Sequence, residues 1–423
     1  MDKGLEVVAL KASYVVASPG ELIEGGRVVV QGTKIIDVGP PKTCSASGEE
    51  IDFGTAAIIP GLINAHTHLE LTDLKGKIPP PKSFTHWLRH IVAYRREEPD
   101  RDLSTAVERG VQLSLEAGTT TVGDISTSND SFRTLPRLPI RKRVFKEVLA
   151  LDPKVVASVL EDAIRILSEF PRDGLGYVGL SPHAPYTACE KLYKGCTLFS
   201  KGHDMLLTTH VSETEDELEF LSKGTGSFAI MLKAYGILEG WEPPGLSPIA
   251  YLKNIGALAS PWLLVHCNYP SDEEVHIIKE SGSSVTYCPR SHHYFGHKIH
   301  PFPRLLREGI NVALGTDSLA SNQSLSVLDE MRFVIANYKE VSPQDVMAMA
   351  TVGGARALGV EDRVGRLSPG LEADLAVMEL PKDGGGSVLD RLLQPDTRNV
   401  FTMVAGRPCY DKYGLFNGVK IRA

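Results

Sequence analysis

The alternation of apolar and polar positions divides the chain into three stretches. Between about Ile58 and Gly365, apolar runs of strand length alternate with longer amphipathic segments, as repeated β/α units around a parallel sheet require. The predicted strands are Ala57–Asn64, Thr119–Asp124, Val144–Leu149, Tyr177–Leu180, Met205–His210, Trp262–His266, Ser284–Tyr287 and Asn311–Gly315. Helices are predicted over Ser104–Ala117, Val155–Phe170 and Asp216–Leu221. On either side the pattern changes to short β-type runs. Glu6–Val16 and Gly26–Val38 are separated by Pro19-Gly20 and Gly25-Gly26, and strands are expected again at Asp374–Glu379, Asn399–Val404 and Val419–Ile421.

Periodicity leaves a closed barrel and a doubly wound open sheet both open, because each buries parallel strands of near-continuous apolar sequence. The polar residues that end these strands favour the barrel, whose catalytic side chains collect at the carboxyl ends of its strands. The expected fold is therefore α/β: a distorted (β/α)8 TIM barrel over 58–365, with a small β-sandwich domain built from both chain ends, 1–57 and 366–423.

Composition narrows the function class. The chain is 42% hydrophobic and 23% charged, as in an ordinary folded protein. Its net charge of −7 comes from scattered residues, and no Lys/Arg block exists to neutralise a phosphate backbone, so a nucleic-acid polymer is not an expected partner. No run reaches the ~18 apolar residues of a membrane helix. The opening MDKGLEVVALKASYVV lacks the ordered zones of a signal peptide, so a cytoplasmic protein without membrane partners is expected. Six cysteines, none in a C-x-x-C pair, are read as reduced thiols.

The chemistry lies at the strand ends. AAIIPGLINAHTHLEL ends a strand with His66 and His68, whose i, i+2 spacing puts both imidazoles on one side of an extended backbone. DMLLTTH ends with His210, SPWLLVH with His266 and NVALGTD with Asp317. One histidine at a strand end is commonly a core residue; five such groups in the same place relative to their strands point to a site. Imidazoles with one carboxylate suit Zn²⁺ first and Fe²⁺ second, whereas Mg²⁺ or Ca²⁺ would call for oxygen ligands.

These motifs, PGLINAHTHLEL, HVSETEDE, VHCN and ALGTDS, together with GRLSPGLEADLAV, resemble the amidohydrolase superfamily in its deaminase and chlorohydrolase branch. The resemblance implies one divalent metal ion on His66, His68, His210 and Asp317, with His266 beside it contacting the water or the substrate. The metal-bridging lysine of other branches is missing, since Leu180 and Ser181 precede Pro182-His183. The spacing of His210 and Glu213 resembles the H-x-x-E of purine and pyrimidine deaminases, which implies that Glu213 protonates an amine leaving group. Asp317 would accept the proton of the attacking water, and His266 would stabilise the tetrahedral intermediate.

The segment SPHAPYT resembles a loop of adenosine-moiety deaminases in which the histidine, here His183, reaches the ribose. TYCPRSHHYFGHKIHP, HTHLEL and the Phe84–Trp87–Leu88 segment are similar to aminodeoxyfutalosine deaminases of menaquinone biosynthesis, whose substrate carries adenine, ribose and a benzoate. On that likeness Arg290 is the expected carboxylate clamp, with Arg141 and Arg143 as competitors, and Glu70 and Trp87 are expected to line the pocket. The expected activity is hydrolytic deamination of a small aminated purine nucleoside. Dechlorination, or deamination of a triazine or guanine, is the runner-up, and a non-catalytic barrel scaffold is third. Homo-oligomerisation is left open.

Overall fold

Eight parallel strands close into a ring in the computed structural model, which describes residues 7–44, 48–97, 102–171, 174–203, 205–382 and 385–416. The expected strand at Val419–Ile421 lies outside the described residues. The barrel strands are β1 (Leu62–Thr67), β2 (Thr119–Ser126), β3 (Arg141–Val148), β4 (Gly176–Pro182), β5 (Leu206–Val211), β6 (Leu263–His266), β7 (Ser284–Tyr287) and β8 (Val312–Leu314), each pairing with the next. A parallel bridge between Thr67 and Asp317 closes the ring, and the Thr316 and Asp317 N–H groups both donate to the His66 carbonyl. β1, β2 and β3 are buried along their whole length, because the barrel interior covers one face and the helices the other.

The helices Ser104–Glu116 and Val156–Glu169 form where their amphipathic patterns predict them. The third predicted helix runs Glu215–Lys223, with Thr214 capping its first turn by accepting from the Glu217 N–H, and Gly224 ending it at φ 70°. Among the described residues no helix is long and apolar enough to cross a membrane.

The predicted strand Ala57–Asn64 is in fact two strands with different loyalties. Ala56–Pro60 pairs antiparallel with Leu375–Glu379 in a six-stranded sheet of the end domain, whereas Leu62–Thr67 enters the barrel. Gly61 makes the break: a Cβ there would lie 2.1 Å from Thr120 Oγ1, so only glycine lets the chain pass β2 this closely. The runs Glu6–Val16 and Gly26–Val38 likewise each fold as two strands, Val7–Lys11 with Tyr14–Ser18 and Arg27–Gln31 with Lys34–Gly39. A four-stranded sheet and the six-stranded sheet pack Val15, Val28, Ile58, Val377 and Phe401 between them, uniting both chain ends in one β-sandwich.

Arg141 and Arg143 lie inside β3, which begins three residues before the expected start at Val144 rather than after these arginines. Both are buried structural cations. Arg141 donates Nε and Nη2 to the two carboxylate oxygens of Asp374, each at 2.9 Å, fastening the barrel to the returning sandwich strand. Arg143 donates to the carbonyls of Leu358 and Val178. Arg141→Ala leaves Asp374 buried without its counter-charge and is expected to cost about 3–5 kcal/mol. A lowered urea midpoint of the purified variant measures it; an unchanged midpoint would remove this pair from the account of domain docking.

Candidate metal centre and active site

The strand ends deliver the expected side chains to one point. His66 and His68 leave β1 on the same side, His210 comes from β5, His266 ends β6 and Asp317 follows β8. Four residues here have left-handed backbone: Ser212 at φ 54°, His266 at φ 73°, Cys267 at φ 51° and Asp317 at φ 55°. Such non-glycine conformations cost on the order of 1–3 kcal/mol each and persist only where surroundings hold them. Here the Cys267 and Asn268 N–H groups donate to the carbonyls of Val211 and Ser212. His300 Nδ1 accepts from the Phe302 N–H, which leaves its Nε2–H to donate to the His266 carbonyl at 2.7 Å.

Ligating nitrogens of His66, His68 and His210 all lie within 4.8 Å of one another. His210 Nε2 is 3.4 Å from His68 Nε2, and Asp317 Oδ1 is 3.8 Å from His66 Nε2 and 3.7 Å from His68 Nε2. Separations of this size are those expected between ligands of one tetrahedral zinc, whose bonds to nitrogen and oxygen are ~2.0–2.2 Å. Both ring nitrogens of the fully buried His66 lack a hydrogen-bond partner, which a buried polar group rarely tolerates unless another ligand satisfies it. Burial, reinforced by the neighbouring histidines, lowers His66 well below the usual imidazole range; burial likewise takes His68 to about 4, against the opposing pull of Asp317. Neutral imidazoles are the ligating form.

The supporting shell is equally specific. His210 Nδ1 lies 3.0 Å from the His183 carbonyl, so it carries the proton and leaves Nε2 for an ion. Asp317 Oδ2 accepts from Ser291 Oγ at 2.7 Å and Ser321 Oγ at 2.8 Å, which turns Oδ1 toward the histidines. A second group of ligating atoms, on Glu147, His183 and His210, lies alongside. The two groups share His210, whose single remaining nitrogen can serve one ion only.

Glu213 adjoins the metal set. Its Oε1 is 3.4 Å from His266 Nε2, and its carbonyl accepts from Asn268 Nδ2. Burial, with Asp317 and Glu217 adding to it, raises the Glu213 carboxyl well above the carboxylate range, which favours its acid form. Burial lowers His266 well below its usual range, leaving it a neutral imidazole.

A cavity of about 70 Å³ reaches these groups; His68, Trp87, Arg95, Thr127, Glu147, His183, Tyr186, Glu213 and Asp317 are among its walls. Ligand sites ordinarily measure a few hundred Å³, so this cavity is small by comparison; the helix Phe84–Glu97 supplies Trp87 and Arg95 to its wall. A roomier cavity, about 680 Å³, opens at the opposite end of the barrel around Arg143, Tyr177 and Arg363 and contains none of the strand-end set.

The substrate residues expected from sequence divide. His183 and Trp87 face the cavity, Trp87 also donating Nε1–H to the Ala320 carbonyl. Arg290 does not: it donates to Ser324 Oγ at 2.7 Å and lies 3.7 Å from Asp329, outside the cavity wall. Glu70 also turns away, buried against the loop after β2, where its oxygens accept from Ser126 Oγ and the N–H groups of Thr127, Ser128 and Ser131. The other histidines of the Arg290 segment are divided between interior and surface: His292 and His300 are buried and His293 is exposed. Sequence reasoning missed Glu147, although a carboxylate inside an apolar strand was the same signal that found His210. Ser291 and Ser321 carried no such signal. All six cysteines are free.

The Amidohydrolase family profile matches residues 57–408. A 5-methylthioadenosine/S-adenosylhomocysteine deaminase from Syntrophobacter fumaroxidans is 30% identical over 381 residues, spanning 86% of this chain and 82% of the relative. An adenosine deaminase from Xanthomonas campestris, solved with bound zinc, has the same fold at a TM-score of 0.83 and 24% identity, over 96% of this chain and 93% of the other. The aminofutalosine deaminase of Helicobacter pylori, in complex with methylthio-coformycin, superposes at 0.82 and 23% identity, over 95% and 99%. With a family match across the whole barrel and into the returning sandwich, built around a strand-end histidine and aspartate cluster, this chain belongs to the Amidohydrolase family.

Proposed function

We propose that this amidohydrolase is a metal-dependent hydrolytic deaminase of aminated purine nucleosides, releasing ammonia. Its substrate is an adenosine derivative, with aminodeoxyfutalosine of menaquinone biosynthesis among the candidates. The buried Glu213, 3.4 Å from His266 and raised well above the carboxylate range, carries the reading, because a departing amine needs a proton donor. The named deaminase activity of the Syntrophobacter relative supports the same substrate class.

His66, His68, His210 and Asp317 would hold one divalent ion, zinc first and Fe²⁺ second. Bound there, the ion would make a water molecule acidic enough to attack at neutral pH. Asp317, whose Oδ2 accepts from Ser291 and Ser321, would accept the proton of the attacking water. Glu213 delivers its proton to the departing nitrogen, and His266 can donate to the oxygen that gains charge at the reacting carbon. The balance is one water consumed, one carbon–nitrogen bond replaced by carbon–oxygen, and one ammonia released, with the proton gained by Asp317 making good the one that Glu213 gives up.

Dechlorination on the same barrel makes no use of Glu213, since chloride leaves without a proton. The two readings separate in an assay of ammonia and chloride release from adenosine, 5′-methylthioadenosine, aminodeoxyfutalosine, guanine and a chlorinated triazine. Ammonia from the adenine nucleosides is the expected result. Chloride from the triazine, with no ammonia from any adenine compound, would overturn the proposal.

A further inference from the structure

Three helices of this chain open with a capping box of ordinary form. In Ser271/Glu274, Ser342/Asp345 and Ser387/Asp390 the carboxylate three residues on accepts from the N–H of the cap itself. The helix Glu215–Lys223 departs from this pattern. Thr214 caps it, accepting from the Glu217 N–H at 3.1 Å, but the Glu217 carboxylate reaches one residue further back, where Oε2 accepts from the Glu213 N–H at 2.8 Å. Glu217 is wholly buried, and its Oε1 has no hydrogen-bond partner among the described residues. Burying a half-satisfied carboxylate is costly, and Thr214 already supplies the cap, so the helix alone gives no reason for it.

The other side of the same residue is held from the end of β6. Asn268 Nδ2 donates to the Glu213 carbonyl at 2.8 Å, and the Asn268 N–H donates to the Ser212 carbonyl at 2.9 Å. Asn268 is also buried, with its Oδ1 lacking a partner among the described residues. Glu213 lies between the end of β5 at Val211 and the helix start at Glu215, so neither ladder fixes its backbone. The residue before it, Ser212, is left-handed at φ 54°, a conformation that persists only when its surroundings hold it. The direction in which Glu213 leaves the backbone, and with it the place of Oε1 at 3.4 Å from His266 Nε2, therefore depends on the two hydrogen bonds from Glu217 and Asn268.

From this geometry we infer that Glu217 and Asn268 are positioning residues for Glu213, gripping its N–H and its carbonyl from opposite sides so that the carboxyl meets the departing amine. Neither is among the walls of the cavity, so both act through Glu213. The inference rests on the deaminase reading and adds what aims its proton donor.

Glu217→Leu and Asn268→Leu, each close in size to the residue replaced, break the grip from opposite sides, whereas Glu217→Gln keeps an oxygen that can accept from the Glu213 N–H. Turnover is measured on adenosine and on 6-chloropurine riboside, with metal content alongside. Misplacing the donor predicts a fall in kcat on adenosine of about 10- to 100-fold in both Leu variants. The chloride, which leaves without a proton, should be released less than about 3-fold more slowly. Metal content and KM should hold, and Glu217→Gln should recover most of the adenosine rate. Either Leu variant suffices if the other does not fold. Equal losses on the two substrates, no recovery in Glu217→Gln, or failure of both Leu variants to fold would show that the pair serves the fold alone. Unchanged adenosine turnover in the Leu variants would remove the pair from the reaction altogether. A parent enzyme that releases ammonia from no adenine compound would instead sink the deaminase reading, and this inference with it.

Discussion

Glu213→Gln is expected to lower kcat for an adenine nucleoside by about 10²- to 10⁴-fold while leaving the metal in place. The reason is chemical rather than structural. Burial, with Asp317 and Glu217 adding to it, disfavours the charged carboxylate, so an amide of the same shape is a mild change to the site. What is lost is the proton for the departing nitrogen. A 6-chloropurine riboside, whose leaving group needs no proton, should therefore be spared, and the ratio of amine to chloride turnover is the diagnostic reading. Loss of metal from the variant, or equal loss on both substrates, would place Glu213 in the metal shell or in the fold.

His66→Ala should be the more severe change. Its ring is fully buried, neither nitrogen has a hydrogen-bond partner among the described residues, and its Nε2 lies 3.8 Å from Asp317 Oδ1. Removing it opens a cavity at the centre of the donor set and takes away one of four ligands. Metal content should fall from about one ion per chain to near zero, as a depleted tetrahedral site implies. Deamination should fall by on the order of 10⁴-fold or more, since metal activation contributes several kcal/mol and each 1.36 kcal/mol is a decade in rate. Elemental analysis with an ammonia assay checks both, and a variant that retains metal and most of its activity would remove His66 from the proposed set. Together the two variants are diagnostic: one should lose the ion and the chemistry, the other the chemistry alone.

The barrel was legible in the sequence because parallel strands buried on both faces leave long apolar runs, and a polar residue closing such a run is conspicuous. His66, His68, His210, His266 and Asp317 were all found this way. Local pattern failed where one apolar run served two layers: nothing in AAIIPGLIN marks Gly61 as the border between sandwich and barrel except its lack of a side chain, and only Thr120 opposite shows why that matters. It failed again for residues whose partners are distant in sequence. Arg290 looked available for a substrate carboxylate until Asp329 and Ser324, from the segment following β8, were found to occupy it. Glu70 looked like a pocket residue because it is two positions from His68, but the short helix Leu69–Leu74 turns it inward to the loop after β2.

What the sequence determined by itself was the class of fold and the identity of the strand-end cluster, since both follow from periodicity along a single stretch of chain. The tertiary structure decided how those groups are used. The serine pair that aims Asp317 and the burial that raises the Glu213 carboxyl both depend on distances between segments far apart in the chain. Those distances are set by barrel closure and packing, which no local pattern encodes.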